Sequence, residues 1–430
     1  MASKLPTQKR AASRDWTSLP FDIYNNVGER LLADDDIDYY MAFRAASHNW
    51  RSATKDYPEK ADYSDPTRFQ PSKWALLGQP RGDLITLVNV DTGRFLRKSI
   101  PLLRRYFFIG ATGGGLLLLA EAMEPHHARV LNPFTGSIAR FKAPMPMVGV
   151  RAVAVMKAPL PLMVFISGDC GEIMWAGQNS DCFKYYLSSL YNSPTCLTSF
   201  AGRVYATDQQ GAVIVSAVSS ATAGEQRRHS ALTISMDTMI PCLDTSLDTS
   251  HLAWLRTGKY YLVEFGGDLL LVTRPPYFAS TNHLPVVVHR VDTERKVLEP
   301  VSSIGNRTIF AGPVRCLSID ADKFRGIKGG CIYFVEPLLL RGDDYKPPTM
   351  TVFHVASGWC TPEGCFRRPV TLIPVLADYC RSVHYSELYE MEVREMGLDE
   401  SSDSESDESS CSETEDEETD DEALSFEPDE

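Results

Sequence analysis

Apolar positions recur along this chain with two periods, and the change between them divides it. Over residues 19–50 the spacing is helical. Leu19-Pro20 opens the segment, and proline suits a first helical turn because its missing N–H has no partner there anyway. Ile23, Val27 and Leu31 follow at i, i+4 and i+8, along one side of a helix. Asp34-Asp35-Asp36 supplies N-cap chemistry for a second helix carrying Ile37, Tyr40 and Met41, and Phe43, Ala46 and Trp50 continue at i, i+3 and i+7. About 40 residues of short amphipathic helices make a poor core alone, so the unit needs a partner chain or a neighbouring domain to cover it.

From about Trp74 the period is two and stays so for some 300 residues. Short apolar runs pair across turn residues: Leu84–Val88 with Phe95 and Leu96 through Asp91-Thr92-Gly93, Ala128–Leu131 with Ser137–Ala139 through Asn132–Gly136, and Val164–Ile166 with Ile173–Trp175 through Gly168–Gly171. Val204–Ala206 pairs with Val213–Val215 through Asp208–Gly211. Tyr260–Val263 pairs with Leu269–Val272 through Gly266-Gly267, a dipeptide suited to the positive φ values of a tight hairpin. Further strands are expected at Val286–Val288, Cys331–Val335 and Thr351–Val355. The two Thr-Gly turns lie 43 residues apart, near the blade length of a β-propeller. Many hairpins without alternating helices favour radial repetition over an oversized sandwich, so the fold is expected to be mainly β, a propeller of six or seven blades.

After Ser386 the pattern changes again. Glu387 to Met396 can form a short helix, and from Asp399 serine alternates with acids. Residues 399–430 hold 17 of the 56 acids and none of the 43 Lys and Arg, which leaves residues 1–398 with 39 acids against 43 bases. The net charge of -13 therefore belongs to the tail, and the rest is near neutral. The expected organisation is a disordered basic arm over 1–14, a helical domain over 15–55, a linker over 56–73, a propeller over 74–385 and a disordered acidic tail over 386–430.

Neither a nucleic-acid face nor a membrane span is indicated. The best apolar stretch, Val148 to Ile166, is broken by Arg151, Lys157, Pro159 and Pro161. Residues 1–14 carry Lys4, Lys9, Arg10 and Arg14 without an apolar run, so no secretory signal is expected and the localisation is cytoplasmic or nuclear. In that setting the ten cysteines are reduced and mostly buried, and their spacing lacks paired CxxC motifs.

Catalytic motifs are likewise missing. Gly110 to Gly115 has no Lys-Ser/Thr pair after it and reads as a bend between strands. His126-His127 reads as a surface turn, since adjacent side chains point apart and one metal rarely uses both. No cofactor, metal site or catalytic residue is expected. Ser402, Ser404, Ser410 and Ser412 each have an acid three positions on, a context for acidophilic kinases of the casein-kinase type.

Residues 15–55 resemble an F-box through Trp16, Leu19-Pro20, Ile23, Val27, Leu31, Phe43-Arg44 and Trp50-Arg51, with Ser47 where many F-boxes carry cysteine. The β region resembles the KIB-type β-propeller of plants in LNPFTGSIARF (131–141), YYLVEFGGDLLLVTR (260–274) and IGNRTIFAGPVRCLSIDADKFRGIKGGCIYFVEP (304–337), with Val297 where relatives often place a tryptophan. The resemblance implies a three-helix F-box before the propeller in a non-catalytic substrate-recognition subunit of an SCF-type ubiquitin ligase. Leu19, Pro20, Ile23, Val27, Leu31 and Trp50 would bind a Skp-type adaptor, which links to cullin and RING subunits, while the propeller holds a target protein. The alternative is a non-ligase propeller scaffold whose acidic tail docks basic nuclear partners.

Overall fold

The computed structural model describes residues 19–33, 36–54, 65–157, 162–169, 171–186, 196–207, 213–219, 233–240, 258–274, 286–335, 350–363, 372–381 and 386–395. Three short helices come first: α1 (Phe21–Ala33), α2 (Ile37–Ala46) and α3 (His48–Ala53). Asp36 caps α2 by accepting from the Tyr39 N–H at 3.2 Å, and Ser47 caps α3 by accepting from the Asn49 N–H.

The remaining elements form a six-bladed β-propeller. Its blades, each from one contiguous stretch, are β1–β3 (Trp74–Ser99), β4–β7 (Tyr106–Pro144), β8–β11 (Val150–Tyr186), β12–β15 (Cys196–Ile240), β16–β19 (Lys259–Pro300) and β20–β24 (Arg307–Glu363). The expected hairpins are present, and Gly266 and Gly267 both take positive φ in the turn joining β16 (Lys259–Phe265) to β17 (Asp268–Arg274). The turns at Cys170 and Asp208–Gly211 lie outside the described residues, as do residues 1–18 and 396–430.

Six apolar clusters, one between each pair of neighbouring blades, hold the ring together. Sheet faces within blades alternate between these clusters. In β16, Tyr260 and Leu262 face the fourth blade while Tyr261 and Val263 face the sixth. Because the middle strands of a blade are covered on both faces, they read as continuous apolar runs.

Two blades depart from the four-stranded plan. The turn from β2 (Leu84–Asn89) to β3 (Phe95–Ser99) is organised by Asn89, whose side-chain oxygen accepts from the N–H groups of Asp91 and Thr92. Asn132 does the same for Phe134 and Thr135 between β6 (His127–Leu131) and β7 (Ile138–Pro144), the last two strands of the second blade. The equivalence makes β2 and β3 the outer pair of the first blade, which therefore lacks the innermost strand. In the sixth blade the order is β21-β20-β22-β23-β24, with β20 (Arg307–Ala311) parallel to β22 (Cys331–Val335) and β21 (Cys316–Asp320) moved to the inner edge.

A helix occupies the gap between these two blades. α4 (Ile373–Arg381) buries Ile373, Leu376, Ala377 and Cys380 among Ala75, Val88, Phe310 and Tyr333. Its last turn is fixed by the Cys380 carbonyl, which accepts from the Val314 and Arg315 N–H groups. Gly312 is required beneath it, since a Cβ there would stand 2.3 Å from that carbonyl oxygen.

α5 (Glu387–Glu395) then packs on the second blade, with Leu388 only 1% exposed. Residues 386–395, grouped by composition with the acidic tail, thus belong to the folded body, as the helical pattern from Glu387 indicated. Gly110 to Gly115 forms the end of β4 (Tyr106–Ala111) and the turn into β5 (Leu117–Glu121), as expected of a bend between strands. His126 is a different matter from the surface turn expected of it. It is buried, with Nδ1 2.8 Å from the Glu121 carbonyl oxygen, because the turn before β6 folds back over the edge of the blade.

Candidate interaction site

The helical unit is built around aromatic rings. Trp50 stacks on Phe43 at 4.7 Å and meets Tyr24 at 5.8 Å, while the Tyr24 hydroxyl accepts from the Leu19 N–H at 3.0 Å. α1 comes close to the end of α3 at Gly28, where a Cβ would be 2.6 Å from Thr54 Cγ2. Arg44 on α2 ties the same point by donating to Thr54 Oγ1 at 2.8 Å.

The unit docks on the propeller through α2. Ile37 and Tyr40 enter the cluster between the first two blades beside Trp74, Leu76 and Leu117, and Tyr40 meets Phe69 at 5.2 Å. Arg94, just before β3, reaches both Asp36 and Asp38 at 3.0 Å and lies 3.9 Å from the Tyr39 ring centroid. The segment after the helices is pinned as well, because the Asn132 amide donates to the carbonyls of Pro66, Arg68 and Phe69. One asparagine therefore shapes a blade turn and fastens the segment leading into the ring.

This docking divides the six positions expected to bind an adaptor. Pro20, Ile23 and Val27 are exposed on one side of α1, with Ile23 at 44% and Val27 at 41%. Leu19 is half-buried, Leu31 packs against the cluster between blades, and Trp50 lies in the aromatic core of the unit. Phe21, unremarked by periodicity, is the most exposed apolar side chain of the unit at 60%. Its signal was its place beside Leu19-Pro20, at the first helical position, where the chain has not yet turned any side towards the core. Ser402, Ser404, Ser410 and Ser412 lie outside the described residues.

β4, β8 (Val150–Met156), β12 (Cys196–Phe200), β16 and β21 meet α4 around a cavity of about 30 Å³ bordered by Ala111, Val153, Cys196, Leu262, Arg315 and Tyr379. That is room for about one water. Arg315 is buried and donates to the Tyr379 carbonyl at 3.3 Å. Burial lowers the Arg315 pKa, pushes the Tyr379 phenol up to about 12 and raises the Cys380 thiol, so Tyr379 and Cys380 stay protonated at neutral pH. Among the described residues no group of three or more His, Cys, Asp or Glu could hold a metal ion, and no helix is long and apolar enough to cross a membrane.

Residues 87–354 match the family model of the KIB1-4 beta-propeller, more than half of the chain. The chain belongs to this family. The match spans the blades from β2 to β23 (Met350–His354), including the reordered sixth blade, and leaves the three helices outside it. No curated protein matches the chain. Among solved structures it is similar to a chain in the S. cerevisiae complex of dbp5 with nup159, gle1, IP6 and ADP, at 8% identity and TM-score 0.26 over 66% of this chain and 84% of that one. It is also similar to BamB from Moraxella catarrhalis (9%, TM-score 0.25, 69% of this chain and 76% of that one) and to AofleA from Arthrobotrys oligospora (9%, TM-score 0.22, 61% and 87%).

Proposed function

We propose that this KIB-type propeller protein is the substrate-recognition subunit of an SCF-type ubiquitin ligase. Its helical unit binds a Skp-type adaptor and, through it, cullin and RING subunits; its propeller holds a target protein. The chain performs no covalent step itself. The observation that supports this reading is the exposed side of α1. The unit has its own aromatic core and spends α2 on the propeller, yet Pro20, Ile23 and Val27 stay together in solvent, with Phe21 beside them at the start of the same helix. An apolar helix side presented by a firmly docked unit suits helix-in-groove or helix-on-helix recognition by another chain.

The test is co-purification of the tagged full chain from cells, compared with Ile23→Asp/Val27→Asp. Adaptor and cullin recovered with the unaltered chain and lost with the variant support the ligase reading. Their absence from both, with basic nuclear proteins recovered in their place, supports the scaffold alternative.

A further inference from the structure

Two cysteines from different blades line the cavity of about 30 Å³ where α4 meets the inner strands. Cys196 is buried at the start of β12 in the fourth blade, and its thiol donates to the Leu262 carbonyl of β16 at 3.7 Å. Cys316, half-buried at the start of β21 in the sixth blade, packs against the same apolar cluster. The two thiols meet there, Cys316 donating to the Cys196 sulfur. A third thiol nearby, Cys380 on α4, donates instead to the Phe310 carbonyl at 3.8 Å. The contact with Cys316 lowers the Cys196 pKa against the opposing push of burial, while the same contact and burial raise Cys316 well above the ordinary thiol value. Cys196 is therefore the first of the pair to ionise, and the thiolate is the form that reacts.

We propose that Cys196 and Cys316 are a peroxide-reactive pair that closes to a disulfide, clipping the fourth blade to the sixth across β16. β16 touches both β12 and β21, so a sulfur seated on its Leu262 carbonyl lies between the two strands to be joined. The cavity selects the oxidant. It has room for about one water, so hydrogen peroxide, little larger than water, fits where glutathione disulfide does not. In the first step the Cys196 thiolate attacks one peroxide oxygen. The O–O bond breaks, a sulfenic acid forms, and the departing hydroxide takes up the proton that Cys196 had released. In the second, the Cys316 sulfur attacks the sulfenic sulfur, and its proton leaves with the sulfenic hydroxyl as water. Two thiols are oxidised to one disulfide, and one peroxide is reduced to two waters.

The bond would close a loop of about 120 residues and hold the reordered sixth blade in the ring. It does not depend on adaptor binding.

The experiment treats the full, reduced chain with a few equivalents of hydrogen peroxide, blocks the remaining thiols on denaturation, and maps linked peptides by mass spectrometry without reduction. The expected product joins Cys196 to Cys316, with a melting temperature raised by about 5 °C that dithiothreitol reverses. Chain denatured before treatment is expected to lose that selectivity. Cys316→Ser is expected to stop at a Cys196 sulfenic acid that dimedone traps, whereas Cys196→Ser is expected to leave Cys316 reduced. The parent-chain map needs no substitution, so it stands even where a variant misfolds. Exposed Cys182 shows that peroxide has acted. Oxidation of Cys182 while Cys196 and Cys316 stay reduced, a Cys196 sulfenic acid that accumulates in the parent without linkage, or equal trapping at both positions in the two variants overturns the inference.

Discussion

Glu387 shows how one side chain joins the C-terminal helix to the ring. β4 carries a bulge between Phe108 and Gly110 that takes residues out of register with β5, and the Phe108 N–H donates to the Glu387 carboxylate at 2.8 Å. Burial raises the Glu387 pKa, only partly offset by that hydrogen bond. The native state therefore holds this proton more tightly than the unfolded chain does. The group's contribution is fully present below its unfolded value and is lost as pH rises past 4.5 and through the raised native value. Glu387→Gln keeps an acceptor for Phe108 without the buried charge, so it is expected to match or slightly exceed the parent in thermal stability at neutral pH and to lose that slope. Glu387→Ala strands the donor and is expected to cost about 1–3 kcal/mol. Thermal melts across the acid range distinguish the three proteins. Gly28 offers a second check at this scale. Alanine would gain about 1 kcal/mol in helix propensity, but its Cβ would sit 2.6 Å from Thr54 Cγ2, and overpacking typically costs about 1–3 kcal/mol. The net expectation is destabilisation of the helical unit, read as faster hydrogen exchange in α1 and α3.

Among the elements, α2 and α4 do the joining. Arg94 is only partly exposed, and its two carboxylate partners and the Tyr39 ring hold α2 to the first blade. Arg94→Ala is expected to cost about 1–3 kcal/mol, appearing as loss of exchange protection in α1–α3 while the strands keep theirs. Leu376 is fully buried where α4 fills the place of an inner strand, so Leu376→Ala is expected to cost about 2–5 kcal/mol and lower the melting temperature of the whole ring. These two elements also mark what the residues alone did and did not disclose. Hairpins were legible because Gly266-Gly267 and the Asn132 turn have a local chemical reason to bend. The order of the sixth blade was not, because alternation in β20, β21 and β22 is the same whichever strand lies beside which. α4 has apolar residues at i, i+3, i+4 and i+7 from Ile373, but it lay inside a region read by its dominant period as strands. On α1, Ile23, Val27 and Leu31 looked like a single stripe. A true helix rotates about 80° over those eight residues, enough for Leu31 to meet the propeller while Ile23 and Val27 stay in solvent.

At the scale of the whole molecule, the ring and its helical unit behave as a support that fixes one apolar helix side in solvent. The cavity where α4 meets the inner strands is about 30 Å³, room for about one water. The proposed adaptor binding turns on α1, and titration calorimetry of a purified Skp-type adaptor into the full chain, alongside Ile23→Asp/Val27→Asp, tests it. Both side chains are already more than two-fifths exposed, so their replacement is expected to leave thermal stability within about 0.5 kcal/mol. Placing two charges in an apolar interface is expected to weaken binding about 100-fold or more, near 3 kcal/mol. Saturable binding by the parent chain, lost in a variant that melts normally, is expected. No binding by the parent, or equal binding by both, would contradict it.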